Sequence, residues 1–112
     1  MVLASQRVLW PDGTFAPATI HIDAGRITAV EDRISPQAEQ VDLAIVPGYV
    51  DTHCHGAAGA DFTDEDPQKV RAAIEHHRAN GTTTQFASTV TERVDDLVDQ
   101  IHRLRPLVAA GE

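Results

Sequence analysis

Residues 47–56 read PGYVDTHCHG and mark a change in the texture of the chain. The Pro-Gly pair at 47–48 is a turn signal, and the aromatic and β-branched residues that follow predict a strand over 49–54. Short strands are predicted before this stretch, whereas strands and helices alternate after it. We therefore expect two parts, residues 1–46 and residues 47–112.

The first part predicts a small antiparallel sheet. A strand over 2–10 ends at the turn PDG, and residues 18–23 alternate in period two, which together favour a hairpin. A third short strand is expected over 26–31. Residues 33–41 are polar and predict a loop, which a brief apolar run follows before the Pro-Gly pair.

The second part predicts the order strand, loop, helix, strand, helix. The first helix has clear ends, because Asp66 can cap it, Pro67 suits its first position and Gly81 suits the residue past its end. Its buried stripe has the spacing i, i+3, i+4, i+7 and consists of Val70, Ala73, Ile74 and His77. The Thr-rich residues 82–90 predict a second, buried strand.

The last helix is expected to start at a Thr91 cap and to run to about residue 104, because Pro106 should end or kink it. A β-α-β-α order implies parallel strands with helical crossovers. Such units build (β/α)8 barrels, which have eight units and typically about 250 residues. The fold class predicted is α/β, and a barrel would be incomplete within these 112 residues.

Composition excludes several classes of partner. The formal net charge is −8, with one Lys among nine basic residues, so we expect no nucleic-acid partner. No apolar run reaches the roughly 18 residues that cross a bilayer, and no secretory leader is recognisable at the N-terminus, so we expect no membrane contact. The single cysteine, Cys54, forms no intramolecular disulfide and fits a reducing, cytoplasmic location.

The strand over 49–54 carries the candidate chemistry. Alternate side chains of a strand share a face, so Asp51, His53 and His55 are expected on one face. Two imidazoles at i, i+2 can bind one divalent ion at about 2.0 to 2.1 Å, and Asp51 could orient one of them. The alternative is a pair of partly exposed histidines. Cys54 should face the helix layer as a structural thiol.

Other polar residues predict structure rather than chemistry. Asp61, Asp64, Glu65 and Asp66 precede a helix, which is typical of a cap and of favourable charge at the helix dipole. The remaining histidines are expected at the surface or at a boundary: His21, His76, His77 and His102. In the loop at 56–61, Gly56, Ala57 and Gly59 could bring backbone N–H groups to a substrate, or could simply serve a tight turn.

The stretch at 47–56 resembles the first-strand signature of the amidohydrolase superfamily of metal-dependent hydrolases. Further segments resemble N-acetylglucosamine-6-phosphate deacetylases within it: HGAAGADF at 55–62, GTTT at 81–84 and STVT at 88–91. Relatives that open cyclic amides share the pattern D-x-H-x-H but lack this Gly/Ala loop.

The resemblance implies the N-terminal part of a small β-sandwich, followed by the first two β/α units of a TIM-like barrel. It also implies hydrolysis of N-acetylglucosamine 6-phosphate to glucosamine 6-phosphate and acetate, so the partner is an amino-sugar phosphate. His53 and His55 would bind a divalent metal ion, zinc or another transition metal, with one or two ions per site. The whole protein would be a homodimer.

Other elements of that family do not occur in these 112 residues: a Glu in an H-x-E-G-P-F type segment, two later His ligands, and an Asp that acts as general base. We therefore expect this stretch alone to be inactive, with its general base beyond residue 112. Two alternatives stay open: another amidohydrolase, such as a cyclic amidase or a deaminase, or a non-catalytic metal-binding domain.

Overall fold

The computed structural model describes residues 1–111, which form two compact units. The first unit is Met1–Pro47 and contains only strands, and the second begins at Gly48 and mixes strands with helices. The predicted α/β class is therefore confirmed as a mixture of strands and helices. Neither helix of the described chain is long and apolar enough to cross a bilayer.

The first unit is a four-stranded sheet in the order β3-β2-β1-β4. Its strands are β1 (Val2–Leu9), β2 (Phe15–Asp23), β3 (Arg26–Glu31) and β4 (Glu39–Gln40). β2 pairs antiparallel with both β1 and β3, which confirms the predicted hairpin and third strand. The apolar run before the Pro-Gly pair joins the sheet through a parallel bridge between Ile45 and Val8. A small core surrounds Val8, Ala18 and Ile20.

The second unit contains the elements that carry the candidate site. They are β5 (Tyr49–Cys54), β6 (Gly56–Ala57), β7 (Ala60–Asp61), α1 (Pro67–Ala79), β8 (Thr82–Ala87) and α2 (Val94–Ala110). β5 and β8 pair in parallel, as a β-α-β order requires, with α1 as the crossover. The predicted loop after β5 folds into a short antiparallel ladder of β6 and β7.

Both ends of α1 lie where the sequence predicts them. The Asp66 side chain accepts a hydrogen bond of 2.9 Å from the Gln68 backbone N–H, and Pro67 is the first helical residue. Asn80 is the C-cap, and Gly81 follows with a φ of +95°. A left-handed residue at this position ends a helix at little cost only when it is glycine.

α2 departs from the prediction at both ends. It begins at Val94 with Arg93 at the N-cap and without a side-chain cap bond, so Thr91 is not its cap. It continues through Pro106 to Ala110. A proline inside a helix costs about 3 kcal/mol, but a buried leucine contributes about 1.5 to 3 kcal/mol. Leu107 follows the proline and is buried in the core, so its burial offsets much of this cost.

The core of the second unit lies between the loop after β5 and the two helices. Its buried members are Phe62, Val70, Ala73 and Leu107. β8 is shorter than the predicted strand over 82–90 and is not buried throughout, since Phe86 is 59% exposed. Within the described residues β8 pairs with β5 alone, which leaves much of it open.

Candidate metal centre

Two imidazoles converge at the carboxyl end of β5. The Nε2 atoms of His53 and His55 lie 3.2 Å apart, and the two rings are nearly perpendicular at 87°. Two nitrogen ligands of one tetrahedral ion at about 2.0 to 2.1 Å would be about 3.3 to 3.4 Å apart. The pair is therefore spaced to bind a single divalent ion with little movement.

Ser88 positions the first of these rings. It follows β8, and its backbone N–H donates to the Cys54 carbonyl at 2.8 Å, so it lies beside the end of β5. Its Oγ lies 3.2 Å from His53 Nδ1. When Nδ1–H donates to this hydroxyl, Nε2 keeps its lone pair for a metal ion.

Sequence reasoning did not single out Ser88 as a site residue. The available signal was its place just after the second parallel strand, because the carboxyl ends of parallel strands meet at one edge of a sheet.

The second ring has a different environment. His55 Nδ1 is buried and has no hydrogen-bond partner among residues 1–111. The His55 backbone carbonyl accepts a 2.8 Å hydrogen bond from the N–H of Phe62, whose side chain is 2% exposed. The backbone at His55 is therefore tied to the core, whereas its Nδ1 makes no hydrogen bond within residues 1–111.

Asp51 does not follow the strand alternation that the sequence predicts. Asp51 pairs with Gln85 and Cys54 pairs with Ala87, so β5 has one residue more than β8 between these pairs. Such a bulge reverses the direction of the side chains beyond it. The Asp51 carboxylate accepts a 3.1 Å hydrogen bond from the His53 backbone N–H. A carboxylate oxygen of Asp51 also lies within 4.8 Å of the Cys54 sulfur and of a ring nitrogen of His77.

Cys54 faces the helix layer, as predicted from alternation. Its Sγ lies 3.2 Å from His77 Nε2 on α1 and 3.3 Å from the Gly56 carbonyl oxygen. His77 Nε2 lies 3.3 Å from the same carbonyl. His77 is half-buried and adjacent His76 is exposed, which agrees with the predicted boundary and surface positions.

The loop after β5 requires glycine at one position for its own fold. Gly56 has a φ of +151°, and a Cβ there would lie 2.1 Å from the Ala60 carbonyl oxygen. Ala57 is half-buried and packs against the core. Gly59 has a φ of +79° and open space around its Cβ position. The fold of the loop therefore explains why residue 56 is glycine, whereas a Cβ at residue 59 would have no neighbour within 4 Å.

The acidic residues before α1 make the structural contacts expected of a turn and cap. Asp61 accepts hydrogen bonds from the Thr63 backbone and hydroxyl, each at 2.9 Å. The Asp61 backbone N–H, and then the Lys69 ammonium, hold the pKa of Asp64 below its ordinary value. These carboxylates are occupied by local hydrogen bonds.

No protein-family model matches the chain. N-acetylgalactosamine-6-phosphate deacetylase of Escherichia coli O157:H7 is 28% identical over 103 residues, which are 92% of this chain and 27% of that protein. The crystal structure of N-acetyl-D-glucosamine-6-phosphate deacetylase from Mycobacterium smegmatis matches with a TM-score of 0.87 and 36% identity, over 99% of this chain and 33% of that one.

The chain resembles N-acetylglucosamine-6-phosphate deacetylases. The resemblance predicted from the sequence is therefore confirmed. A mutant of the Mycobacterium smegmatis deacetylase, in complex with N-acetyl-D-glucosamine-6-phosphate, also matches with a TM-score of 0.87 and 36% identity, over 99% of this chain and 30% of that one. An allantoinase of Streptomyces avermitilis is 43% identical over 61 residues, 49% of this chain and 14% of that protein. The chain spans about a third or less of the length of these relatives.

Proposed function

We propose that this chain supplies the first pair of metal ligands of a metal-dependent deacetylase of amino-sugar 6-phosphates. The observation that carries the proposal is the 3.2 Å separation of His53 Nε2 and His55 Nε2 at the carboxyl end of β5. The reaction would convert N-acetylglucosamine 6-phosphate and water to glucosamine 6-phosphate and acetate. Similarity to deacetylases over nearly the whole chain supports this choice of substrate class.

The proposal includes a fold for the whole protein. Residues 1–46 would be a portion of a β-sandwich, and residues 47–112 would begin a TIM-like (β/α) barrel of the amidohydrolase superfamily. The parallel pairing of β5 and β8 around α1 supports the barrel. In such barrels the carboxyl ends of the strands carry the active site, and His53 and Ser88 both lie at that end.

His53 and His55 would hold the ion, zinc or another transition metal, in a site of one or two ions. When bound, the ion acts as a Lewis acid that polarises an amide carbonyl and makes water a better nucleophile. Ser88 Oγ would orient the His53 ring by accepting a hydrogen bond from Nδ1–H, and the Asp51 carboxylate accepts one from the His53 backbone N–H. The proposal assigns the general base to residues beyond 112.

The small-residue loop would lie beside the substrate. Gly59 is the best placed of Gly56, Ala57 and Gly59 for close approach, because its Cβ position is open. The partner would be an anionic amino sugar, with no nucleic acid and no membrane involved. We further propose a cytoplasmic homodimer for the whole protein.

A second candidate function is the hydrolysis of a cyclic amide. The 43% identity to an allantoinase over 61 residues favours it, and the D-x-H-x-H pattern at 51–55 is common to both classes. Acetate release from N-acetylglucosamine 6-phosphate, measured against ring opening of allantoin with the whole gene product, separates the two substrate classes. Ring opening without acetate release would replace the first candidate by the second.

Metal binding tests the ligand pair directly. Zinc affinity, measured by competition with a chromophoric chelator, should fall in His53→Ala and in His55→Ala. His76→Ala is the matched control, because His76 is an exposed imidazole on α1 outside the pair. Equal zinc affinity in all four proteins would remove the ligand assignment.

Catalysis by these residues alone is a separate test. A polypeptide of residues 1–112, supplied with zinc, is expected to leave N-acetylglucosamine 6-phosphate intact, because two imidazoles fill half of a four-coordinate shell. Turnover by this polypeptide would show that the chain supplies more of the active site than the proposal assigns to it.

A further inference from the structure

We propose a second metal site, formed by Asp51, Cys54 and His77. It is separate from the imidazole pair, which is His53 with His55. The three residues offer a carboxylate oxygen, a thiol sulfur and an imidazole nitrogen, and these atoms lie within 4.8 Å of one another. All three residues are half-buried. The proposal does not depend on the deacetylase function, because it uses none of the residues that carry that function's key observation.

The spacing of the donor atoms suits a transition-metal ion. The closest pair, Cys54 Sγ and His77 Nε2, is separated by 3.2 Å. Three atoms no more than 4.8 Å apart share a point within about 2.8 Å of each, against zinc bond lengths of about 2.0 to 2.3 Å. Three bonds would therefore form if each donor atom moved inward by about 0.5 to 0.8 Å.

A fourth donor lies against the same atoms. The Gly56 carbonyl oxygen is 3.3 Å from Cys54 Sγ and 3.3 Å from His77 Nε2. Without an ion, the thiol, the imidazole and the carbonyl form a hydrogen-bonded group. With an ion, the carbonyl or a water molecule can fill the fourth position of a tetrahedral shell.

The fold creates this cluster in two ways. The bulge in β5 places Asp51 with Cys54, although residues three apart on a regular strand point to opposite faces. α1 then brings His77 to Cys54, and the ring of Phe62 lies against His77 with centroids 6.5 Å apart. Because β5, α1 and the core each fix one part, the donors are held before any ion binds.

The chemistry of the donor atoms limits which metal ions can bind. Thiolate with imidazole is typical of sites for zinc and for other soft or borderline ions, whereas magnesium and calcium prefer oxygen ligands alone. The expected occupant is zinc or a zinc-like divalent ion, and cobalt(II) and cadmium(II) serve as spectroscopic substitutes.

Cobalt(II) titration tests the site through a signal that only sulfur ligation gives. The wild-type chain should develop a thiolate-to-cobalt charge-transfer band in the near ultraviolet. Cys54→Ser should lose the band, and His77→Gln should bind cobalt more than about tenfold more weakly in this band. The double variant His53→Ala/His55→Ala should keep the band while losing the other site, and His76→Ala is the matched control.

Two results would overturn the proposal. One is the absence of the band in the wild-type chain. The other is a band that survives in His77→Gln and disappears in the His53/His55 double variant, because Cys54 would then belong to the imidazole pair. Failure of the wild-type chain to bind zinc through His53 and His55, with the band intact, would instead count against the proposed function alone.

A second measurement needs only the wild-type chain. It therefore tests the site even if circular dichroism shows that a variant does not fold. Saturating zinc should slow alkylation of Cys54 in the wild-type chain at least about tenfold, because a metal-bound thiolate is a poor nucleophile. An unchanged alkylation rate with zinc bound would mean that the three residues form only a hydrogen-bonded group, and would contradict the site.

Discussion

Gly56→Ala is the most informative single change in the loop after β5, and Gly59→Ala is its matched control. Both glycines have positive φ, at +151° and +79°. A Cβ at Gly56 would lie 2.1 Å from the Ala60 carbonyl oxygen and 2.7 Å from Asp61 Cα, whereas a Cβ at Gly59 has no neighbour within 4 Å. Comparing the two variants therefore separates the cost of a steric clash from the cost of backbone strain.

The expected cost follows from these distances. Backbone strain at a sparsely populated φ costs about 1 to 3 kcal/mol, and overpacking in a tight contact costs about 1 to 3 kcal/mol more. Gly56→Ala should therefore lower the free energy of unfolding by about 2 to 6 kcal/mol. Gly59→Ala carries only the left-handed backbone cost of about 1 to 2 kcal/mol.

Thermal unfolding followed by far-ultraviolet circular dichroism measures the difference. At about 4 to 8 °C per kcal/mol for a small domain, Gly56→Ala should lower Tm by at least about 8 °C. The same variant should weaken zinc binding, because residues 56 and 61 pair directly beside His55. If Gly56→Ala has the same Tm as Gly59→Ala and binds zinc as the wild type does, the loop does not require glycine at position 56. The steric explanation for Gly56 would then be wrong.

Three further outcomes are expected. Ser88→Ala should weaken zinc binding at the imidazole pair by about tenfold, measured by chelator competition, because His53 Nδ1 loses its hydroxyl partner. Asp66→Ala should lower the free energy of unfolding by about 1 kcal/mol in urea, because α1 loses its cap. The Asp61 backbone N–H lowers the pKa of Asp64, so this contribution to stability is present above the ordinary Asp pKa and is lost as pH falls through the lower folded-state pKa. Stability measured across that acidic range should fall less in Asp64→Asn than in the wild type.

Local signals predicted the parts of the fold that local chemistry controls. The cap, proline and glycine of α1 act within a few residues, so Asp66, Pro67 and Gly81 placed its ends correctly. The hairpin of β1 and β2 likewise follows from a turn and from alternation. The resemblance of residues 47–56 and the loop after them to deacetylases predicted the nature of the relatives.

Tertiary packing decided the features that sequence reasoning missed. Pro106 is a helix-ending signal by itself, but Leu107 is 5% exposed in the core and keeps α2 continuous. The position of Asp51 depends on a bulge relative to β8, which no property of β5 alone reveals. The order of strands places Ser88 at the same sheet edge as His53, but only the parallel register shows that the two side chains meet.

The link between Ser88 and His53 has a consequence for the order of folding. The two residues are separated by 35 positions, and in the folded chain the parallel pairing of β8 with β5 brings them together. Contacts of long sequence separation form late, since loop closure must come first. The imidazole pair is therefore expected to reach its final orientation in the last steps of folding, so that the rate of metal capture reports when the parallel strands close.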